Sequence, residues 1–204
     1  MVALGCLGGG AAQAQTTSAD CELHVWPAGS VHSTYYGWVH GGTLDAAAKG
    51  RKGYPDAPID LLGPRAQLAA LDVATIAGKL GRPLARVVIH DTPLTRRQIQ
   101  APGPRADHAP ACYIELIVDD IFLQNSVLSG ISLRTLFRLQ DSTGGEAAPW
   151  RFAGWTNTAV TSEALKDEAS AAATLTAAFK EDFMKFTRSV EAARAAPHDK
   201  RPGK

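Results

Sequence analysis

The chain has 204 residues, 45% hydrophobic and 20% charged, with 21 basic against 20 acidic side chains and a formal net charge of +1. This length and balance describe one globular domain that can bury a core of ordinary size. They exclude the basic field that nucleic acid selects and the apolar span of about 18 residues that a membrane helix needs.

The first residues, "MVALGCLGGGAAQAQ", are small, apolar and uncharged. They end in Ala12-Gln13-Ala14, the A-x-A pattern of a signal-peptidase site. Residues 1 to 14 are therefore expected to be a signal-peptide remnant, with Gln15 as the mature N-terminus. A lipoprotein acylated at Cys6 and held at the outer membrane ranks second, because Ala3-Leu4-Gly5 makes a poor lipobox. Cleavage after Ala14 leaves two cysteines, Cys21 and Cys112. In an oxidising compartment such a pair is expected to bridge; two buried thiols are the alternative.

"CELHVWP" alternates, with Leu23 and Val25 on one face and Glu22, His24 and Trp26 on the other. It reads as a strand stopped by Pro27. Residues 27 to 58 keep no period, and such a length is too great for a plain loop. A flap, short irregular structure or partial disorder is expected there. One helix is expected over residues 64 to 80, apolar at Leu68, Leu71, Val73, Ile76, Ala77 and Leu80, and stopped by Gly81 and Pro83. "LARVVIHD" reads as a buried inner strand, parallel to the first. Residues 92 to 111 carry four prolines and read as a second exposed excursion.

"CYIELIVDDIFLQ" is the strongest strand pattern. Ile114, Leu116 and Val118 face one way; Tyr113, Glu115, Ile117 and Asp119 face the other. "ISLRTLFRLQD" is its expected antiparallel partner, with Arg134 and Arg138 on a wet face. "WRFAGW" is a short last strand. The terminal helix shows a stripe of Leu175, Phe179, Phe183, Phe186 and Val190. Residues 193 to 204 read as a disordered basic tail.

The fold expected is α/β in the broad sense (α+β): a two-layer sandwich with a four- to five-stranded mixed sheet, half of it largely antiparallel. Two main amphipathic helices pack it, and residues 15 to 192 form the single domain.

No motif for catalysis, phosphate or metal is specific. His24, His32 and His40 lie eight residues apart, and His90 ends a strand near the first. They are a weak candidate metal set, because the short paired spacings of zinc ligands are absent. Tyr35, Tyr36 and Trp38, in a Gly-rich segment over residues 29 to 42, are the candidate binding aromatics; packing of that segment onto the sheet is the competing reading. Asp119 and Asp120, adjacent on a strand, are expected to face opposite ways and so cannot act as an acid/base pair. A cross-strand ion pair with Arg134 or Arg138 is expected for one of them. His90-Asp91 could orient an imidazole, but no G-x-S-x-G elbow supplies a nucleophile. No catalytic residue and no cofactor is assigned. The Arg96-Arg97 dipeptide reads as solvated loop.

The succession "CYIELIVDDIFLQ", "LRTLFRLQD", "WRFAGW" and "TLTAAFKEDFMKFTRSV" resembles a group of small periplasmic proteins and lipoproteins. The group includes the N-terminal domain of the Tol–Pal translocation protein, the curli-secretion lipoprotein and auxiliary lipoproteins of ABC-type lipid transporters. The resemblance covers residues 21 to 192. It implies an exported, periplasmic, non-enzymatic protein of a Gram-negative envelope, with a partner protein or assembly and no catalytic residues to carry over. A small periplasmic hydrolase or metal-dependent enzyme, using His90, Asp91 and a loop histidine, is the alternative.

Overall fold

The computed structural model describes residues 21–36, 41–42, 59–142 and 149–196. The expected signal segment, Cys6, Trp38, His40 and the C-terminal tail beyond residue 196 lie outside the described residues.

The fold is mixed α+β: an open, mixed sheet packed against helices. Among the described residues the sheet has seven strands, one of them only two residues long. They are β1 (Cys21–Trp26), β2 (His32–Tyr36), β3 (Gly41–Gly42), β4 (Arg86–Ile89), β5 (Cys112–Ser126), β6 (Gly130–Asp141) and β7 (Trp150–Ala159). β5 organises them. Its first half pairs in parallel with β1, from Cys21↔Cys112 to Trp26↔Ile117. Its second half pairs in parallel with β2, from His32↔Phe122 to Tyr36↔Ser126. β1 and β2 thus lie end to end along one edge of β5. β6 covers the other edge antiparallel, and β7 follows β6. The sheet is five strands wide, β4–β1/β2–β5–β6–β7, and its β5–β6–β7 half is antiparallel, as the sequence suggests.

Four readings are corrected. The 27–58 excursion contains β2 and β3, so part of it belongs to the sheet. β4 is parallel to β1 as expected, but it lies at the sheet edge and is half-buried, not an inner strand. The helix expected over 64–80 is two helices, α1 (Pro64–Ala70) and α2 (Val73–Lys79), broken at Asp72. Asp72 adopts φ 54°, a left-handed conformation that no helix continues through. Finally, the 92–111 excursion folds back on the sheet and holds a short helix, α3 (Arg96–Gln100). A capping box between Thr95 and Gln98 starts it.

The inner face carries the main core. Leu23, Val25, Ile114, Leu116, Val118, Leu133, Phe137 and Leu139 meet α1, α2 and the long helix α4 (Glu168–Ala195). Asp167 caps α4, its carboxylate accepting from the Ser170 amide at 2.8 Å. The predicted stripe Leu175, Phe179, Phe183, Phe186 and Val190 is buried throughout. Phe137 sits among Phe179, Phe183 and Phe186 at centroid distances of 5.7, 5.8 and 5.1 Å, within the range of favourable ring pairs. Gly81, at φ 74°, ends α2 in a Schellman turn: the Arg82 amide donates to Ala77 and the Gly81 amide to Gly78. Cys21 and Cys112 stand opposite each other across the β1–β5 pair and are disulfide-bonded, with Cα atoms 4.5 Å apart.

Candidate functional site

The outer face of the sheet is only half covered. Over β1 and the start of β5 lies residues 92–111, and a second, smaller core forms there. Trp26, Tyr113 and Ile117 meet Leu94, Ile99, Ala106 and Ala109. Arg105 pins this segment down. It belongs to the excursion expected to be exposed, yet its side chain is 9% exposed and pairs with Glu115, itself 1% exposed, at 3.0 Å. Arg105 also donates to the Ile99 and Ala101 carbonyls, and the Tyr113 hydroxyl donates to Glu115 at 2.7 Å. Burial, with the neighbouring Glu115, raises the Tyr113 pKa well beyond the usual phenol range. The pair's further hydrogen bonds leave neither buried charge uncompensated beneath the segment, so removing one partner would be costly. The buried Nε of Arg105 has no partner among the described residues.

Beyond that segment, Arg138 of β6 and Arg151, Ala153 and Trp155 of β7 are exposed on the outer face. Between α3 and β7 run two adjoining cavities of about 460 and 210 Å³ that share Ile99, Gln100 and Arg138. Arg138 and Arg151 line the larger, with Gln100, Ile117 and Ala153. Each arginine is tethered at Nε: Arg138 donates to Asp119 at 2.5 Å, and Arg151 to the Gln140 side chain at 3.0 Å. Their terminal nitrogens make no hydrogen bond among the described residues. Asp119, Asp120, Phe122, Arg96 and Trp155 line the smaller cavity. Trp155 is 46% exposed, with the Arg134 guanidinium 5.1 Å over its ring.

The two aspartates correct the sequence reading. A β-bulge shifts the β5–β6 register between Val118↔Phe137 and Asp120↔Leu136, so Asp119 is an extra residue. Alternation fails there and both carboxylates line one cavity. Burial raises the Asp120 pKa, against the opposing pull of His32 and Arg96. The expected ion pair forms between Asp119 and Arg138.

The candidate histidines divide. His24 Nδ1 and His90 Nε2 are 2.9 Å apart, and His24 Nε2 meets Glu22 at 2.9 Å. His90 stacks on Trp26 at 4.1 Å, and its burial lowers its pKa, with His24 adding to the shift. His32 lies elsewhere, 3.6 Å from Asp120. Its register partner is Phe122, against Glu115 for His24, which places the two roughly 20 Å apart along the strand. Among the described residues no group of three or more His, Cys, Asp and Glu side chains is placed to hold a metal. Asp91 is exposed and makes no hydrogen bond to His90. Tyr35 is half-buried on β2, opposite Asn125 of β5, and Tyr36 pairs with Ser126. β2 thus starts beside the smaller cavity at His32 and runs along β5 to Tyr36, opposite Ser126.

Sequence reasoning missed the groove because three separate segments make it. A signal for it existed: the exposed positions of "WRFAGW" and "LRTLFRLQD" bring Arg138, Arg151 and Trp155 to one face of two paired strands.

No family model and no curated protein matches the chain. Among solved structures it is similar to protein XCC0632 from Xanthomonas campestris, described as DUF330. Identity is 9%, 85% of each chain is covered and the TM-score is 0.40. It is also similar to an uncharacterized protein at 10% identity, covering 84% of this chain and 92% of that one, with a TM-score of 0.33.

Proposed function

We propose that this chain is an exported, non-catalytic domain of a Gram-negative envelope that binds another envelope component on the outer face of β5–β6–β7. The observation that carries the reading is the groove: a concave strip of sheet with an exposed Trp155 and two guanidinium groups whose terminal nitrogens make no hydrogen bond among the described residues. Such a strip has the features of a recognition surface, aromatic and arginine anchors around a pocket. The disulfide supports export, since such bonds persist in oxidising compartments. No described helix is long and apolar enough to cross a membrane. Tyr35, Tyr36 and Trp38 supply a second contact region.

The test is site-specific photocrosslinking in the native envelope, with the reactive group at Ala153 on the groove rim or at Trp38. The reading expects one reproducible adduct from position 153, lost when Arg138 and Arg151 are both changed to Glu. Adducts from position 38 alone would move the binding surface to the aromatic segment. No adduct from either position would sink the reading.

A further inference from the structure

We propose that the 460 Å³ cavity is a site for a small organic acid: a carboxylate held between Arg138 and Arg151, with its apolar body on Ile99, Ile117 and Ala153. This rests on the reading of the outer face as the binding surface and specifies what that surface takes.

The cavity has the size of ordinary small-molecule sites, which are apolar hollows with a few placed polar groups. Its charge decides the ligand's sign. Arg105 and Glu115 form the wall beneath and neutralise each other. Arg138 is paired through its Nε with Asp119, so that pair adds no net charge while its terminal N–H groups stay available. Among the described residues, Arg151 hydrogen-bonds the neutral Gln140 and pairs with no carboxylate. The groove therefore holds a surplus of about one positive charge beside a low-dielectric wall, where attraction to an anion is strengthened.

Geometry decides the class. A guanidinium fixed at Nε offers its terminal N–H groups in one plane, the fork that a carboxylate or phosphate accepts. The surplus matches a monoanion. A dianionic phosphate would leave one negative charge uncompensated beside Asp119 and Asp120. Gln100 and Gln140 add neutral hydrogen-bonding groups beside the apolar Ile99, Ile117, Leu139, Phe152 and Ala153. The Nε hydrogen bonds to Asp119 and Gln140 are in place before the ligand arrives, which lowers the ordering cost of binding.

The experiment uses the full chain and four probes of equal length: hexanoate, hexanamide, hexyl phosphate and hexylammonium. Two-dimensional NMR follows the Arg138 and Arg151 Nε–H resonances. Hexanoate is expected to shift both and to bind about tenfold more tightly than hexanamide, as a charge-assisted pair requires. Arg138→Ala and Arg151→Ala should each weaken hexanoate by about tenfold, whereas Arg134→Ala, outside this cavity, should not. Equal binding of hexanoate and hexanamide, or no saturation by hexanoate at about 10 mM, would overturn the site. Tighter binding of hexyl phosphate would overturn the carboxylate assignment. A crosslinked partner at Ala153 together with failure of hexanoate would leave the binding surface standing and remove only this ligand. Hexanoate binding without any crosslinked partner would do the reverse.

Discussion

Asp182 is fully buried on α4 beside Phe179, Phe183 and Phe186. The Thr135 hydroxyl donates to its Oδ2 at 2.9 Å and the Thr158 hydroxyl to its Oδ1 at 2.8 Å. Lys185 reaches in from the rim to Thr158. Two neutral hydrogen bonds do not match the lost hydration of a carboxylate, and burial raises its pKa from 3.8 to about 6. The folded protein therefore holds a proton between those values that the unfolded chain has released. Stability from this group is full below the lower value and is lost as pH rises through the upper one. At neutral pH the cost is about 3 kcal/mol relative to an ordinary carboxyl. Asp182→Asn is expected to flatten the stability profile between pH 4 and 6 and to stabilise the protein at pH 7 by about 1–2 kcal/mol. Denaturant melts at several pH values read both effects. A variant less stable than the parent at pH 7 would show that the carboxylate's hydrogen bonds outweigh its desolvation. Position 182 was open to reading from the sequence, because it lies three residues after Phe179 and four before Phe186, on the stripe itself.

At the scale of elements, what could be read from the sequence had a long period. The β5 and β6 alternation and the α4 stripe repeat often enough to fix both element and face. Single residues broke the other readings. Asp119 adds one residue to β5 and turns both aspartates into one cavity. Asp72 splits a continuous apolar period into α1 and α2, since periodicity records which side is buried and not whether the backbone stays helical. The site was less legible still, because Arg105, Arg138 and Arg151 meet only through a bulge, a short helix and a strand pairing. The Asp72 break is testable. Its left-handed conformation costs a non-glycine residue about 1 kcal/mol, but its carboxylate accepts from Thr75 Oγ1 at 2.7 Å and lies 3.9 Å from Lys79. Asp72→Ala keeps the strain and loses those contacts, so a loss of about 1 kcal/mol is expected. Asp72→Gly relieves the strain while losing the contacts and should be close to neutral. If Asp72→Ala proved as stable as Asp72→Gly, the break would carry no strain. Chemical denaturation with matched slopes distinguishes the two.

At the scale of the molecule, topology makes the N-terminal strand the hardest element to place. β1 is parallel to both its neighbours, so neither pairing closes a tight hairpin. Its partners lie far along the chain, and that loop entropy opposes folding before any contact repays it. The Cys21–Cys112 bond spans 91 residues and acts on this term directly. By chain entropy it destabilises the unfolded state by about 4–5 kcal/mol, a third or more of what a domain usually has in reserve. Changing both cysteines to Ser is expected to lower the unfolding free energy by about 4 kcal/mol, and reduction of the parent protein should reproduce most of that loss. The bond sits at the first residue pair of β1 and β5, so β5, β6, β7 and α4 should still assemble, with β1, β4 and the 92–111 segment loosened first. Hydrogen exchange under reducing conditions reads this order directly. Protection should fall at Leu23 and Val25 before Phe137 or Phe179. A loss under about 1 kcal/mol would mean that the parallel pairing alone holds β1. The disulfide would then be dispensable for stability, and its support for an oxidising compartment would weaken with it.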